Sequence, residues 1–209
     1  GSQFNTYSAF MEEILKDRLH VPNISKITPK PDIDKHGTVT DTLRQGQELI
    51  VQIAKEPISS KGPRLTTEIS FTGRFLILIP FNDKISVSQK IKSSEEKVRL
   101  RRLIESVKPA NFGVIIRTSA ENKRVAELNN ELRALLKCWE DSVAKAQRSE
   151  VPSLIYEEDS RAVSVIRDIF SPSFENIYVN DAEVFDQISH YVNLIASDRK
   201  DIVKLYTDD

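Results

Sequence analysis

Apolar positions along the chain change their period several times, and each change predicts a different element. Tyr7, Phe10, Met11, Ile14 and Leu15 recur at three- and four-residue steps, which predicts a helix over residues 3–20 with Asn5 placed to cap it. Residues 21–42 lose that period and hold Pro22, Pro29 and Pro31, so they read as a loop or extended linker. Residues 49–53 alternate as a half-buried strand does, 57–63 turn, and 65–71 and 75–79 are predicted to pair across Thr72-Gly73. Residues 84–150 then read as strand, helix, strand, helix. Ser93-Ser94-Glu95-Glu96 opens the first helix as a capping box, followed by Val98, Leu100, Leu103, Ile104 and Val107. Residues 111–118 form the central strand. In the long helix that follows, Val125, Leu128, Leu132, Leu135, Leu136, Trp139 and Val143 make one stripe predicted to face a core. The tail reads as a strand at 153–156, a helix at 161–170, a strand at 177–180, a helix at 182–195 and a strand at 202–206. Such alternation implies helices layered on sheets.

Composition narrows the class. Hydrophobic residues are 39% and charged residues 29% of the 209, the proportions of a globular rather than a disordered chain. No apolar run approaches the ~20 residues of a membrane-spanning helix, and no signal peptide opens the chain. Gly1-Ser2 reads as a cloning scar. The single cysteine, Cys138, excludes a disulfide framework within the chain; among Leu135, Leu136 and Trp139 it reads as a buried, inert thiol suited to a reducing cytoplasm. The net charge of −1 conceals a gradient. Residues 151–209 carry 12 acidic and 5 basic side chains, a net of −7 against +6 for the rest. Residues 84–102 hold Lys84, Lys90, Lys92, Lys97, Arg99, Arg101 and Arg102 against Glu95 and Glu96. A basic block of this kind suits a polyanion, though by itself it reads more readily as the solvated face of a helix.

Candidate chemistry is sparse. His20, His36 and His190 lie far apart without ligand-like spacing. The acidic pairs Glu95-Glu96, Glu157-Glu158 and Asp208-Asp209 are adjacent in sequence, so their side chains diverge rather than converge on a metal. There is no glycine-rich phosphate loop and no nucleophile elbow. Most informative is the strand end Arg117-Thr118, where a guanidinium fork can hold two oxygens of a terminal phosphate and a hydroxyl a third. Taken alone, an arginine closing a strand is more often a solvated charge.

The residues around that pair change the balance. The runs Gly46-Gln47-Glu48-Leu49-Ile50-Val51-Gln52-Ile53, Lys55-Glu56, Lys61-Gly62, Leu65-Thr66-Thr67 and Gly73-Arg74-Phe75-Leu76-Ile77-Leu78-Ile79-Pro80 are followed by Arg117-Thr118 and a helix with Leu132 and Trp139. Later come Leu154-Ile155-Tyr156-Glu157-Glu158, Val165-Ile166-Arg167-Asp168 and Ile177-Tyr178-Val179-Asn180-Asp181. In this order, over roughly three quarters of the chain, the set resembles the ribonuclease E/G family. The resemblance implies a mixed α/β, α+β architecture. Residues 1–42 would be an inserted helix and linker, 43–82 the closing part of an OB-type RNA-binding barrel whose opening strands lie outside the chain, 83–150 a 5′-sensor region, and 151–209 part of a ribonuclease H-like subdomain.

The resemblance also assigns residues. It implies that Arg117 and Thr118 grip the 5′-monophosphate of single-stranded RNA, that Gly73 and Ile77 line the same pocket, and that Lys55 and Lys61 are basic positions of the RNA-binding barrel. One departure stands out: known members carry two arginines before the isoleucine at 91, where this chain has Gln89-Lys90, so one charged contact of the pocket is expected to be weakened, or else supplied by Lys90 or Arg74. The family's magnesium-holding aspartates, in an Asp-Ile-Asn-Ser context, and its zinc-binding Cys-Pro-x-Cys motif do not occur. The chain is therefore expected to bind no cofactor itself and to be inactive alone. Magnesium, with zinc between protomers, is implied for a longer, cytoplasmic parent that oligomerises through other domains. Two rival readings remain: a protein-interaction or assembly segment docking through the helix at 121–148, and an independent small nuclease.

Overall fold

In the computed structural model, which describes residues 4–17, 20–31 and 36–207, the apolar stripe of the first helix faces inward. Helix α1 (Phe4–Lys16) buries Phe4, Tyr7, Phe10, Met11 and Ile14, one face of the helical period. Asn5 lies inside this helix, and its amide donates to the Pro31 carbonyl at 2.8 Å rather than capping. The carbonyls leaving the helix are satisfied from elsewhere: the buried Gln147 amide donates to Asp17 and His20 at 3.2 and 2.9 Å. The proline-rich linker is also pinned. Around its 3-10 turn at Ile24–Lys26, the Asn111 amide donates to the Ile24 and Ile27 carbonyls at 2.8 and 2.7 Å. Further on, the Lys30 N–H donates to the Thr6 hydroxyl at 2.8 Å. A second short helix, α2 (Val39–Thr42), precedes the strands.

The strand region falls into two sheets. β1 (Gln52–Lys55) and β2 (Arg64–Thr66) form an antiparallel ribbon of their own. β3 (Phe71–Thr72), β4 (Leu76–Pro80), β5 (Ile85–Val87) and β6 (Phe112–Ile116) form a second sheet in the order β3-β4-β6-β5. The strand expected over 65–71 is thus broken. After β2 the Ile69 N–H turns back to the Thr67 carbonyl at 3.1 Å, and the Ser70 N–H donates to the Gln52 side chain at 2.8 Å. The architecture is α+β, with no closed barrel among the described residues.

β4 runs antiparallel to β6, and β5 runs parallel to it; the parallel pair is joined by α3 (Ser94–Val107), the crossover that parallel strands require. Ser93 caps α3, accepting the Glu96 N–H at 3.2 Å as its capping-box sequence predicts. One sheet face carries Leu76, Leu78, Val114 and Ile116, all fully buried, in a core shared with α1, α3 and α4 (Val125–Arg148). At its centre Trp139 meets Phe10, Phe71 and Phe81 with ring centroids 5.8, 6.4 and 5.6 Å apart. Phe81 adopts a left-handed conformation (φ 58°) to enter this cluster, a backbone state that bulky residues hold only when packing enforces it.

The chain divides into two compact units between Ile155 and Tyr156. In the second, α5 (Arg161–Ile169) and α6 (Ala182–Ile195) cover a parallel pair, β7 (Ile177–Val179) and β8 (Val203–Leu205). Ser160 and Asp181 cap the two helices. Val163, Ile166, Val179, Ile188, Val192 and Val203 belong to its core. The strand expected at 153–156 is absent: these residues have no regular structure, and Leu154 and Tyr156 are exposed. No helix among the described residues is long and apolar enough to cross a membrane.

Candidate nucleic-acid interface

Strand β6 delivers Arg117 and Thr118 to the end of the four-stranded sheet, where three turns converge. The Arg117 N–H donates to the Phe75 carbonyl at 2.8 Å, and its guanidinium Nη1 donates to the Gly73 carbonyl at 2.7 Å. Thr118 is exposed, with its hydroxyl 2.9 Å from that of Ser88 in the turn after β5. That turn is tied to the strand end by the Ser88 N–H, which donates to the Ile116 carbonyl at 2.9 Å. The Ser119 hydroxyl donates to the Arg74 carbonyl. Arg117, Thr118, Gly73 and Arg74 are therefore neighbours. Lys90 lies two residues beyond Ser88, exposed, with its N–H donating to the Ser88 hydroxyl at 3.3 Å. Ile77 pairs with Ile115 across the sheet and is half-buried, alternating with the core residues Leu76 and Leu78.

A residue that the sequence did not single out organises this end of the sheet. Glu131, on α4, accepts the N–H groups of Arg74, Phe75 and Leu76, each at 2.7 Å. A side chain at Gly73 would put its Cβ 2.7 Å from the Glu131 carboxyl carbon, so glycine is there to let the carboxylate approach the turn. Burial pushes the Glu131 carboxyl above its usual range, against the pull of those N–H donors and of Arg117. Nothing in the pattern of α4 sets Glu131 apart from a solvated polar residue, since the turn it holds lies 55 to 57 positions away.

The other basic residues are distributed differently. Arg74 stands over the Phe75 ring with its guanidinium carbon 5.4 Å from the centroid, and the Lys123 ammonium lies 5.2 Å from the same centroid. Lys55 closes β1, and Lys61 sits in the turn bridged to Ile58; both are exposed and belong to the β1–β2 ribbon rather than to the sheet end. Within the basic segment, Arg99 makes a bidentate pair with Glu96 (2.6 Å for both bonds) and donates to the Lys123 carbonyl at 3.1 Å. Glu96 also accepts the Asn122 N–H at 2.8 Å, and the Arg99 bonds hold its carboxyl below the usual range. Arg99 thus fastens the loop that follows Thr118. Arg101 and Arg102 are exposed on the same helix. Reversing both charges is expected to flatten the salt dependence of single-stranded RNA binding by about one unit of slope for each phosphate no longer neutralised. An unchanged slope in a filter-binding titration would show that face of α3 to be merely solvated.

Among the described residues no three or more His, Cys, Asp and Glu side chains gather so as to hold a metal ion. Most of this arrangement lies inside a known family. The sequence model of the ribonuclease E/G family matches residues 70–209, the stretch that contains the four-stranded sheet, the three turns at its end and Glu131. The chain belongs to the ribonuclease E/G family. It is 34% identical to a ribonuclease E of Nostoc over 154 residues, 74% of this chain and 22% of that protein. It is 31% identical to a ribonuclease G of Haemophilus influenzae over 170 residues, 81% of this chain and 35% of that protein. Against ribonuclease G of Escherichia coli K12 it is 31% identical over 155 residues, 74% and 32% of the respective lengths. The chain thus spans about a fifth to a third of the length of these relatives.

Proposed function

We propose that this chain is an RNA-binding segment of a ribonuclease E/G-type endoribonuclease, and that it recognises the 5′-monophosphate end of single-stranded RNA. One observation carries the reading: Arg117 and Thr118 follow one another at a strand end, with the guanidinium held by the 73–76 turn and the hydroxyl by Ser88. A guanidinium and a hydroxyl so placed present the bidentate and single donors that a terminal phosphate accepts. Lys90, Arg101 and Arg102, all exposed, would add sequence-independent attraction to the backbone. A 5′-triphosphate is larger and more negative, so a pocket sized for one phosphate would reject it. Tethering a processed end in this way would raise cleavage at a distant centre of the parent enzyme by effective concentration.

The test compares 5′-phosphorylated and 5′-hydroxyl oligonucleotides of one sequence; equal affinity would defeat the reading. The assembly reading has less support, because the apolar stripe of α4 (Leu128, Leu132, Leu135, Trp139 and Val143) is already buried in the core. With magnesium the chain alone is expected to leave RNA intact, because the aspartate motif of the resemblance is missing from its sequence. Cleavage that survives repurification and disappears on mutating one of its acidic residues would show otherwise.

A further inference from the structure

Three successive peptide units at the sheet end share one orientation. The N–H groups of Arg74, Phe75 and Leu76 point to the Glu131 carboxylate. The carbonyls of the same units, Gly73, Arg74 and Phe75, accept from the Arg117 guanidinium, the Ser119 hydroxyl and the Arg117 N–H. Each unit is therefore polarised between a carboxylate on one side and the Arg117 segment on the other. Hydrogen bonds linked through peptide groups in this way strengthen one another.

Successive N–H groups turned to one point make an anion-binding nest, and here the anion is internal. The carboxylate arrives on the side of the turn opposite the Arg117 contacts, and Gly73 leaves it room: a Cβ there would lie 2.7 Å from its carbon. We infer that Glu131 is a positioning residue for the terminal-phosphate site, orienting the 73–76 turn so that its carbonyls hold Arg117 and Ser119 where a phosphate meets them. This rests on the proposed role of Arg117 and Thr118. It makes Glu131, a residue outside the phosphate grip, a determinant of end specificity.

The test is Glu131→Gln in the whole chain, read by affinity for 5′-phosphorylated and 5′-hydroxyl oligonucleotides. The carboxamide offers one acceptor oxygen where the carboxylate offers two, and turns an N–H donor toward other donors. Preference for the phosphorylated end should fall about tenfold, the effect of misplacing a charge-assisted contact, while affinity for the hydroxyl end stays within about twofold, as fits a change that touches no phosphate-tracking charge. Glu131→Asp, which keeps the charge on a shorter arm, should recover part of the preference. In an Arg117→Ala background Glu131→Gln should remove nothing further, because the two act as one unit. If Arg117→Ala abolishes the preference and Glu131→Gln leaves it whole, the inference falls and the reading of Arg117 stands; if wild type does not discriminate, both fall. Should Glu131→Gln not fold, the wild-type amide signals of Arg74, Phe75 and Leu76 decide. They should shift together on saturation with a 5′-phosphorylated dinucleotide, and signals that stay unmoved while it binds would overturn the inference.

Discussion

Arg117→Ala is expected to erase most of the preference for 5′-monophosphorylated RNA while leaving affinity for 5′-hydroxyl RNA close to that of wild type. A hydrogen-bonded pair with a charged partner contributes about 1.5–3 kcal/mol, so the preference should fall roughly ten- to hundredfold. The structure adds a smaller cost to the fold. The guanidinium also donates to the Gly73 carbonyl, so its loss should cost about 1 kcal/mol of stability, one hydrogen bond's worth. Arg117→Lys should not restore the preference, since an ammonium cannot span both the turn carbonyl and two phosphate oxygens. Thr118→Val removes the hydroxyl that faces Ser88 but keeps the shape, and should cost less, near the ~1 kcal/mol of a neutral hydrogen bond. The measurement is a pair of binding isotherms per variant on matched oligonucleotides. Discrimination that survives Arg117→Ala would place the phosphate grip elsewhere, with Lys90 the next residue to test.

The parts of this site that are legible in the sequence are those set by local period and by local capping. β6 with its terminal Arg117-Thr118, the Ser93 cap of α3 and the buried stripe of α4 all follow from patterns within about a dozen residues. What is not legible depends on pairings across the chain. Glu131 is an ordinary polar position on a helix until the turn more than fifty residues earlier comes to meet it. Gly73 reads as a hairpin residue, yet its lack of a side chain serves the approach of that carboxylate. Arg99 reads as one more member of a basic block, although Glu96 lies three positions before it and takes its charge in a bidentate pair. The break after Thr66 that sends β2 and β3 to different sheets rests on side-chain bonds such as that of Gln52 with Ser70, which no alternation pattern reports.

The N-terminal helix gives the largest expected effect on stability. Phe10→Ala should destabilise the first unit by about 3–5 kcal/mol, the range for deleting a buried aromatic ring. In a chain of this size that corresponds to a drop of roughly 10 °C in its unfolding midpoint. Phe10 is 2% exposed and its ring meets Phe81 and Trp139 at 5.2 and 5.8 Å, so truncation opens a cavity at the centre of the core. Trp139 is the chain's single tryptophan, and its fluorescence therefore reports this unit selectively. An exposed residue of the second unit, Tyr178, serves as the control: Tyr178→Ala should change the tryptophan transition by no more than about 0.5 kcal/mol. The expectation separates two architectures. A helix merely appended to the fold would tolerate Phe10→Ala with a shift of less than about 1 kcal/mol, close to the ordinary surface range. A helix inside the core would not, and because the same core supports β4 and α4, a chain loosened at Phe10 should also lose end discrimination as it melts.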